Sequence, residues 1–356
     1  MDVSIIGASG DVGRQIAVQL IAEQVVASSQ RLQLVGRASG KSAQSLYGLR
    51  ADLLDAYAET SPEIDVALSP EEVTADIIIV TTGATVSAEP GKALGRAELG
   101  KINKPLFEMY ARAIAQHGHG DELIIIVSNP VELGVEVFSR HLDRERVIGI
   151  GAYQDSLRFR REIAADLGVR RQRVHAFVLG EHGENLYPMW NTVQVYGMDE
   201  SELSDVVQCL SQGRDYDDFR IDLLAARHEL VKLLSEGRAA EAFALVYRLP
   251  PDLRTVLVPF LTFISGAKTS IATANAVVDL VNTIIEGREV LVAGQVSLRG
   301  ECFEMDTVMG MPIIVGQQGW LQIVKPEMHA RDFDYLKQVA TAISHRIAEW
   351  YEDEHQ

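Results

Sequence analysis

Residues 3–13 read V-S-I-I-G-A-S-G-D-V-G, and this stretch decides the fold. The apolar run at 3–6 predicts a short buried strand, and the amphipathic stretch at 12–27 predicts a helix. Three glycines occupy the junction between them, namely Gly7, Gly10 and Gly13. Small residues between a strand and a helix let the backbone approach a pyrophosphate at the helix N-terminus. The stretch therefore predicts a strand–turn–helix unit that binds a dinucleotide.

The glycines follow the spacing G-x-x-G-x-x-G instead of the more common G-x-G-x-x-G. This variant still supplies the tight turn and the close packing of the helix on the strand. An isolated glycine triplet is weak evidence, but here strand, turn and helix follow one another in register. The residues that we predict to contact the cofactor in this unit are Gly7, Gly10, Asp11, Val12 and Gly13.

The first 149 residues alternate short apolar runs with longer amphipathic stretches. After the first strand, the runs lie at 32–35, 77–80, 124–127 and 147–150. The amphipathic stretches that follow the first helix lie at 42–58, 96–116 and 131–140. Strands that alternate with helices form a parallel sheet with helices on both faces. We therefore predict an α/β fold with a Rossmann-type, doubly wound parallel sheet.

The pattern changes after residue 150. Further elements are predicted as a helix at 155–167, strands at 174–179, 290–298 and 313–315, and a closing helix at 333–350. This order indicates an α+β catalytic domain. Because no Pro/Gly/Ser-rich linker separates the halves, we expect a dinucleotide-binding domain at 1–149 and a substrate domain at 150–356 that share an interface.

A helical insert near 213–258 interrupts the second half. The stretch 217–250 predicts two helices, with Gly237 between them and Pro250 after the second. Leu223, Leu230 and Leu234 form one stripe on the first of these helices, and such stripes usually face a core. The sequence does not indicate what the insert does.

The composition excludes several classes of function. The chain has 33 Lys+Arg against 50 Asp+Glu, a formal charge of −17, which opposes binding to nucleic acid or to an anionic membrane. Its two cysteines, Cys209 and Cys302, lie far apart without ligand-like spacing, so we expect neither a disulfide nor a metal site. Neither a leader peptide nor a membrane span is recognisable. We therefore expect a cytoplasmic protein.

Two short motifs in the second half carry titratable groups. Asp155 and Arg158 lie at positions i and i+3 of a predicted helix, and His182 lies in G-E-H-G at the end of a predicted strand. A carboxylate that orients an imidazole, beside a guanidinium that grips a carboxylate, suits reduction of an oxoacid carbonyl. Taken separately, the first motif is equally well a helical ion pair and the histidine a structural residue.

The ordered set of motifs resembles the lactate/malate dehydrogenase family. The set comprises the glycine loop, Thr82-Gly83-Ala84, Arg96 with Leu99 and Asn103, Ser128-Asn129-Pro130, Asp155 with Arg158, G-E-H-G at 180–183, Lys268-Thr269-Ser270 and G-Q-Q-G at 316–319. It spans nearly the whole chain apart from the insert. The resemblance implies a two-domain oxidoreductase that transfers hydride between a nicotinamide cofactor and a small 2-hydroxy or 2-oxo acid.

The resemblance also assigns roles to individual residues. His182 would donate and accept the proton, and Asp155 would hold the His182 side chain. Arg158 would bind the substrate carboxylate. Arg96, at the end of a closing loop, would polarise the carbonyl. The remaining implied contacts are Asn129 on the reacting oxygen, Thr269 beside the substrate, and Thr82, Gly83, Asn103, Val127 and Asn129 on the cofactor.

The loop before Arg96 departs from the family pattern. Family members that prefer malate carry an arginine there for the distal carboxylate, and lactate enzymes carry a glutamine. Residues 84–95 contain neither, and Lys92 is their only cation. Lys92 is therefore a candidate substrate contact, with an arginine from the insert or the second domain as the alternative. Malate/oxaloacetate and lactate/pyruvate both remain open as substrate pairs.

The end of the second predicted strand suggests which nicotinamide cofactor is preferred. NAD-binding folds place an acidic residue there for the adenosine ribose, whereas this chain has Gly36, followed by Arg37, Ser39 and Lys41. The cations and the hydroxyl can contact a 2'-phosphate, so we predict NADP as the preferred cofactor and NAD as the second choice. A glycine-rich surface turn is the alternative interpretation. The same stretch is one residue too short for a nucleotide-hydrolase phosphate loop.

Two other functional classes remain as alternatives. NAD-dependent glycosidases have a similar fold, but they use a metal and a cysteine before Asn-Pro, where this chain has Ser128. A non-catalytic dinucleotide sensor is the other, although a sensor has no need for His182, Asp155, Arg158 and Arg96 together. The resemblance further implies a homo-oligomer, either a dimer or a tetramer, acting on a small-molecule substrate.

Overall fold

The structure is a computed structural model that describes residues 1–85, 95–183 and 185–352. Its first half forms six parallel strands: β1 (Val3–Ile6), β2 (Arg31–Val35), β3 (Glu63–Ala67), β4 (Ile77–Val80), β5 (Leu123–Ile126) and β6 (Val147–Gly149). The helices of this half are α1 (Asp11–Ala22), α2 (Ser42–Ala56), α3 (Arg96–His117) and α4 (Val131–His141). The strand order is β3-β2-β1-β4-β5-β6. The predicted doubly wound sheet is confirmed.

Strand β3 was absent from the sequence prediction. Its sequence, E-I-D-V-A, carries two acidic residues and only two bulky apolar ones. It lies at the edge of the sheet, paired only with β2 among the described strands, so part of its length stays in contact with solvent. An edge strand does not need the continuous apolar run that marks the buried strands, and the sequence signal was correspondingly weak.

The order of strands reverses at β1, which lies between β2 and β4. Parallel sheets bind ligands outside the carboxyl ends of the strands at such a reversal. Gly7 begins the turn after β1 with a φ of +89°, and a Cβ atom there would lie 2.8 Å from the backbone nitrogen of Thr82. Only glycine allows the turns after β1 and β4 to approach this closely.

The second half extends the same sheet with antiparallel strands. Its elements are α5 (Gly151–Asp166), β7 (Val174–Gly180), β8 (Leu186–Val195), α6 (Glu200–Ser211), α7 (Tyr216–Ser235), α8 (Ala239–Val246), α9 (Pro251–Ile264), α10 (Ser270–Ile285), β9 (Val290–Ser297), β10 (Val308–Gly316), β11 (Gly319–Ile323) and α11 (Ala330–Glu352). Strand β6 meets β9 where Gly149 pairs with Gln295. The order then runs β9-β10-β7-β8, with β11 on β10. The α+β prediction for this half is confirmed.

Two hydrophobic clusters stabilise the chain. The larger lies around the central sheet, and the smaller joins α5, β7 and β8 to α7, α8 and α9. The two helices predicted on either side of Gly237 are α7 and α8. On α7, Leu223, Leu230 and Leu233 are buried in the smaller cluster, whereas Leu234 is only half-buried. The insert therefore packs against the substrate half of the protein.

Within the described ranges, the structure contains no helix with both the length and the apolar character required to cross a membrane.

Candidate active site

A cavity of about 810 Å³ lies at the carboxyl ends of β1, β4 and β5. Helices α5, α9 and α10 supply its other walls. The predicted site residues that line it are Gly10, Asp11, Val12, Gly13, Thr82, Gly83, Val127, Asn129, Asp155, Arg158, His182 and Thr269. Residues from both halves of the sequence thus meet in one cleft.

One buried carboxylate holds two of these groups. Asp155 Oδ2 lies 2.8 Å from His182 Nδ1, and Asp155 Oδ1 accepts a hydrogen bond of 2.9 Å from Arg158 Nη1. Asp155 is 2% exposed, whereas about a sixth of each partner side chain remains exposed toward the cleft. Because Asp155 and Arg158 are one helical turn apart on α5, the helix itself brings carboxylate and guanidinium together. His182 reaches them from the end of β7.

The pKa of Asp155 reflects two opposing effects. Burial disfavours the charged carboxylate, but the charges and hydrogen bonds of His182 and Arg158 outweigh it and lower the pKa. For Arg158, burial lowers the pKa of the guanidinium. The group stays protonated because the ordinary pKa of arginine is so high. The carboxylate therefore stays ionised at neutral pH and fixes the Nδ1–H of His182 without taking its proton.

Arg96 lies outside the lining of the cavity, at the first position of α3. Its Nη2 donates to Glu132 Oε2 at 2.6 Å, its Nε lies 3.4 Å from Glu181 Oε1, and its Nη1 donates to the carbonyl of His182. The other oxygen of Glu132 accepts from the backbone N–H of His182 at 2.8 Å. The single carboxylate of Glu132 on α4 thus binds both Arg96 and the backbone of His182.

Glu132 and Glu181 were not found by sequence reasoning. Both are at most 2% exposed, and burial raises the pKa of Glu181, with Glu132 adding to the effect and Arg96 and Arg346 opposing it. Arg346 reaches Glu181 from α11. The available signal was positional, since Glu132 interrupts the apolar start of α4 just after Asn129, and Glu181 precedes His182. A charge inside an apolar run is unusual unless a partner is buried with it.

Asn103 lies behind the wall of the cavity and is fully buried. Its Oδ1 accepts from the N–H of Ala84 at 2.7 Å, and its Nδ2 donates to the carbonyl of Asn129 at 2.7 Å. Ser128 adds a hydrogen bond of 2.7 Å to the carbonyl of Thr82. These contacts tie the turns after β4 and β5 together. Lys92, one of the predicted substrate contacts, lies outside the described residues.

The residues predicted to select the cofactor lie on the turn after β2. Gly36 is buried, and Arg37, Ser39 and Lys41 are exposed. A Cβ atom on Gly36 would lie 2.6 Å from both Leu46 Cδ1 and Ser42 Oγ. A side chain at this position would therefore have to displace the Ser42 and Leu46 side chains of α2.

A further wall of the cavity comes from the insert and the rest of α9, and it was not predicted. Helix α9 presents Val256, Pro259, Phe260 and Phe263 to the cavity, at the i, i+3, i+4 and i+7 spacing of one helix face. Arg227 of α7 lines the same cavity, with its guanidinium 5.2 Å from the centre of the Phe260 ring. This wall is mostly apolar, with the Thr255 side chain and the Arg227 guanidinium as its polar groups among the described residues.

Two family models match the chain. The lactate/malate dehydrogenase NAD binding domain matches residues 1–149, and the lactate/malate dehydrogenase alpha/beta C-terminal domain matches residues 154–237. Together they cover more than half of the sequence. The chain belongs to the lactate/malate dehydrogenase family. It is therefore an oxidoreductase that uses a nicotinamide cofactor to interconvert 2-hydroxy and 2-oxo acids, and the predicted enzyme class is confirmed. Neither the glycosidase nor the sensor alternative is favoured.

Individual relatives agree with this placement. A malate dehydrogenase of Halobacterium salinarum is 26% identical over 356 residues, covering 96% of this chain and 97% of the relative. An L-2-hydroxycarboxylate dehydrogenase (NAD(P)(+)) of Methanocaldococcus jannaschii is 33% identical over 205 residues, covering 56% and 62%. The lactate dehydrogenase of Eimeria maxima, solved with NADH and oxamate, shares the fold at 18% identity with a TM-score of 0.76 over 100% of this chain and 96% of its own.

Proposed function

We propose that the cleft reduces a 2-oxoacid, and oxidises the corresponding 2-hydroxyacid, with His182 as the proton donor and acceptor. The observation that carries the proposal is the pairing of His182 and Arg158 on the two oxygens of Asp155. This arrangement sets a proton-transfer group and a carboxylate-binding group side by side on one cavity wall. A ligand that carries both a carboxylate and an adjacent carbonyl fits that spacing.

Each side chain has a distinct task in this reaction. Arg158 binds the substrate carboxylate, and its geometry suits a two-point grip. Asp155 accepts the Nδ1–H of His182, so the Nε2 of the ring faces the carbonyl oxygen and protonates it as the alcohol forms. Asn129 donates a hydrogen bond to the same oxygen, and Thr269 flanks the substrate. When bound, the nicotinamide supplies the hydride for the carbonyl carbon.

Arg96 contributes to the polarisation of the carbonyl. Its contacts with Glu132 and with the backbone carbonyl of His182 hold it next to the segment that carries the proton-transfer group, outside the lining of the cavity. A nearby guanidinium stabilises the negative charge that develops on the carbonyl oxygen, and this effect is the basis for the role proposed for Arg96.

The first domain, 1–149, holds the cofactor, and the second, 150–356, carries most of the substrate site. The proposed cofactor contacts are Gly7, Gly10, Asp11, Val12, Gly13, Thr82, Gly83, Val127 and Asn129, with Asn103 positioning the turns behind them. These residues fit a dinucleotide, because Gly10 and Gly13 present bare backbone to the cavity at the start of α1. The first N–H groups of a helix have no acceptor within it and bind phosphate well.

We further propose that NADP(H) is preferred over NAD(H), with Gly36, Arg37, Ser39 and Lys41 around the 2'-phosphate. The Methanocaldococcus jannaschii relative, whose name includes both cofactors, supports a site that tolerates the phosphate. Because a side chain at Gly36 would collide with Leu46, Arg37→Asp is the cleaner test. The wild type should use NADPH more efficiently than NADH, and the variant should lower the NADPH:NADH ratio of kcat/KM by roughly 10- to 100-fold.

The control for this experiment is Arg299→Asp, which makes the same charge change at an exposed residue in the turn after β9. It should leave the cofactor ratio unchanged. A wild-type preference for NADH, or a ratio that Arg37→Asp does not move, would contradict the NADP proposal.

For the substrate side chain, we propose that Arg227 binds a distal carboxylate. Residues 84–95 contain no arginine. Arg227 and Arg158, in contrast, line the same cavity, and the Arg227 guanidinium lies beside the Phe260 ring. We expect dicarboxylic 2-oxoacids such as oxaloacetate and 2-oxoglutarate to be favoured over the monocarboxylates 2-oxobutyrate and 2-oxovalerate. Arg227→Met should erase that preference by about 10- to 100-fold in kcat/KM and leave monocarboxylate reduction nearly unchanged.

The same panel of 2-oxoacids tests the function itself, because oxidation of NADH or NADPH is followed by loss of nicotinamide absorbance. Arg220→Met is the matched control, since Arg220 is an exposed arginine on the same helix. If no acid in the panel is reduced, the proposed reaction is wrong. If dicarboxylates are preferred but Arg227→Met keeps the preference and Lys92→Ala removes it, the distal contact belongs to Lys92.

We also propose that the protein is a cytoplasmic homo-oligomer. Cys209 and Cys302 are both free thiols, which suits a reducing compartment. Several apolar side chains, among them Tyr47, Ile221 and Ile271, are more than half exposed and offer contacts to a second copy. Sedimentation of the purified chain and cell fractionation test the two statements, and a strictly monomeric or a secreted protein would contradict them.

A further inference from the structure

An ion pair bridges the cofactor groove. Lys268 Nζ lies 2.5 Å from Asp11 Oδ2, although the residues are 257 positions apart in sequence. Asp11 is the first residue of α1, and Lys268 lies two residues before α10. Both line the cavity that also contains His182 and Arg158. The pair thus joins the glycine loop of the first domain to the segment of the second domain that carries Thr269.

The two helices concerned begin side by side. Helix α1 packs against α10, and the contact between Asp11 and Lys268 brings their N-terminal ends to the same groove. Ser270 and Thr273, in the first turn of α10, line the cavity together with Gly10 and Val12 of the glycine loop. Each helix N-terminus carries a partial positive charge, so two such ends favour an anion between them.

Asp11 introduces an opposing charge at this place. A carboxylate at a helix N-terminus stabilises that end while the groove holds no anion. A pyrophosphate, however, would bring two further negative charges to the same N–H groups, so the backbone of Asp11 would contact it while the Asp11 carboxylate would repel it. Lys268 compensates for this charge: its hydrogen bond and its positive charge, together with Arg14, lower the pKa of Asp11.

We propose that Lys268 binds the pyrophosphate of the dinucleotide, and that Asp11 holds the ammonium in the groove until the cofactor arrives. The proposal rests on the proposed placement of the cofactor at the glycine loop. The side chains of Lys268 and Asp11 are 67% and 61% exposed, and exposed ion pairs are weak. The ammonium can therefore be shared with a phosphate oxygen at little cost, whereas its removal leaves Asp11 facing the pyrophosphate alone.

One consequence concerns the substrate side of the cleft. Lys268 immediately precedes Thr269, which we have proposed to flank the substrate, and Thr269 is the N-cap of α10. A phosphate contact at Lys268 fixes the position of this segment. Cofactor binding thereby orders the residue that meets the substrate.

The test is a double-mutant cycle of Lys268→Met and Asp11→Asn, read by dissociation constants and not by activity. The probes are ADP-ribose, which contains the pyrophosphate, and adenosine, which has no phosphate; both are measured by calorimetry. Lys268→Met should weaken ADP-ribose binding about tenfold and leave adenosine binding unchanged. Asp11→Asn should restore most of that loss when added to Lys268→Met. Lys268→Arg should bind like the wild type, and Lys232→Met, on the exposed face of α7, is the charge-matched control.

Two results would overturn the proposal. One is an ADP-ribose dissociation constant that Lys268→Met leaves within twofold of the wild type at low salt, where charge effects are largest. The other is a double variant that binds as weakly as Lys268→Met alone, because Asp11 would then exert no repulsion. A wild type that binds ADP-ribose as proposed but reduces no 2-oxoacid would refute the proposed reaction and leave the phosphate contact intact.

Discussion

His182→Asn should lower turnover by about 100-fold or more and leave the dissociation constant of the dinucleotide nearly unchanged. The factor is the usual contribution of general acid–base catalysis. Asparagine can still accept or donate a hydrogen bond, but it cannot take up and release the proton that the carbonyl oxygen needs. Because the His182 ring is held by Asp155 and not by the glycine loop, the substitution should not disturb the cofactor contacts of that loop. Steady-state turnover and fluorescence titration with NADPH measure the two quantities separately.

The control for this prediction is His228→Asn, at an exposed histidine of α7. Asp155→Asn provides a second comparison, because it should reduce turnover less than His182→Asn and should shift the pH–rate profile. The amide cannot supply the negative charge that Asp155 keeps next to the imidazole. If His182→Asn keeps its turnover, His182 is not the proton-transfer group. If Asp155→Asn keeps the wild-type pH profile, Asp155 does not influence the protonation of His182.

The buried strands of the first half were predictable because their signals are local in sequence, and the groups that meet in the cleft were predictable because their short motifs occur together in the order of the family. The apolar run before Gly7, the i, i+3 spacing of Asp155 and Arg158, and the turn around His182 each specify a backbone geometry within a few residues. Parallel pairing then brings the ends of β1, β4 and β5 together without further information. Local rules were therefore sufficient for the strand ends that form the floor of the cleft.

The insert wall and the buried carboxylates were not predictable on the same basis. Phe260 and Phe263 follow the pattern of an ordinary core helix, and only the packing of α9 against α5 turns that face toward the cavity. Glu132 meets Arg96 and His182 through contacts 36 and 50 residues apart in sequence. No local spacing encodes these contacts, because they depend on how complete elements dock.

Arg158→Lys should raise the substrate KM by about 100-fold and change kcat much less. Arg158 already donates Nη1 to Asp155 Oδ1 at 2.9 Å, so the guanidinium must hold Asp155 and the substrate carboxylate at once. Its planar fork has enough donors in fixed directions for both, whereas an ammonium is a compact point charge on a flexible stem. A lysine that binds the substrate loses its contact with Asp155, and a lysine that stays bound to Asp155 loses the substrate. In either case one charge-assisted hydrogen bond is lost.

The control for this prediction is Arg161→Lys, which makes the same exchange at an exposed position of the same helix, where Arg161 pairs with Glu162. A second measurement compares each 2-oxoacid with its uncharged amide. The wild type should discriminate strongly against the amide because it offers Arg158 no carboxylate. Arg158→Lys should discriminate far less, since its contact with the acid is already weak. A KM within twofold of the wild type, or amide discrimination that the substitution leaves intact, would mean that another group in the cleft binds the substrate carboxylate.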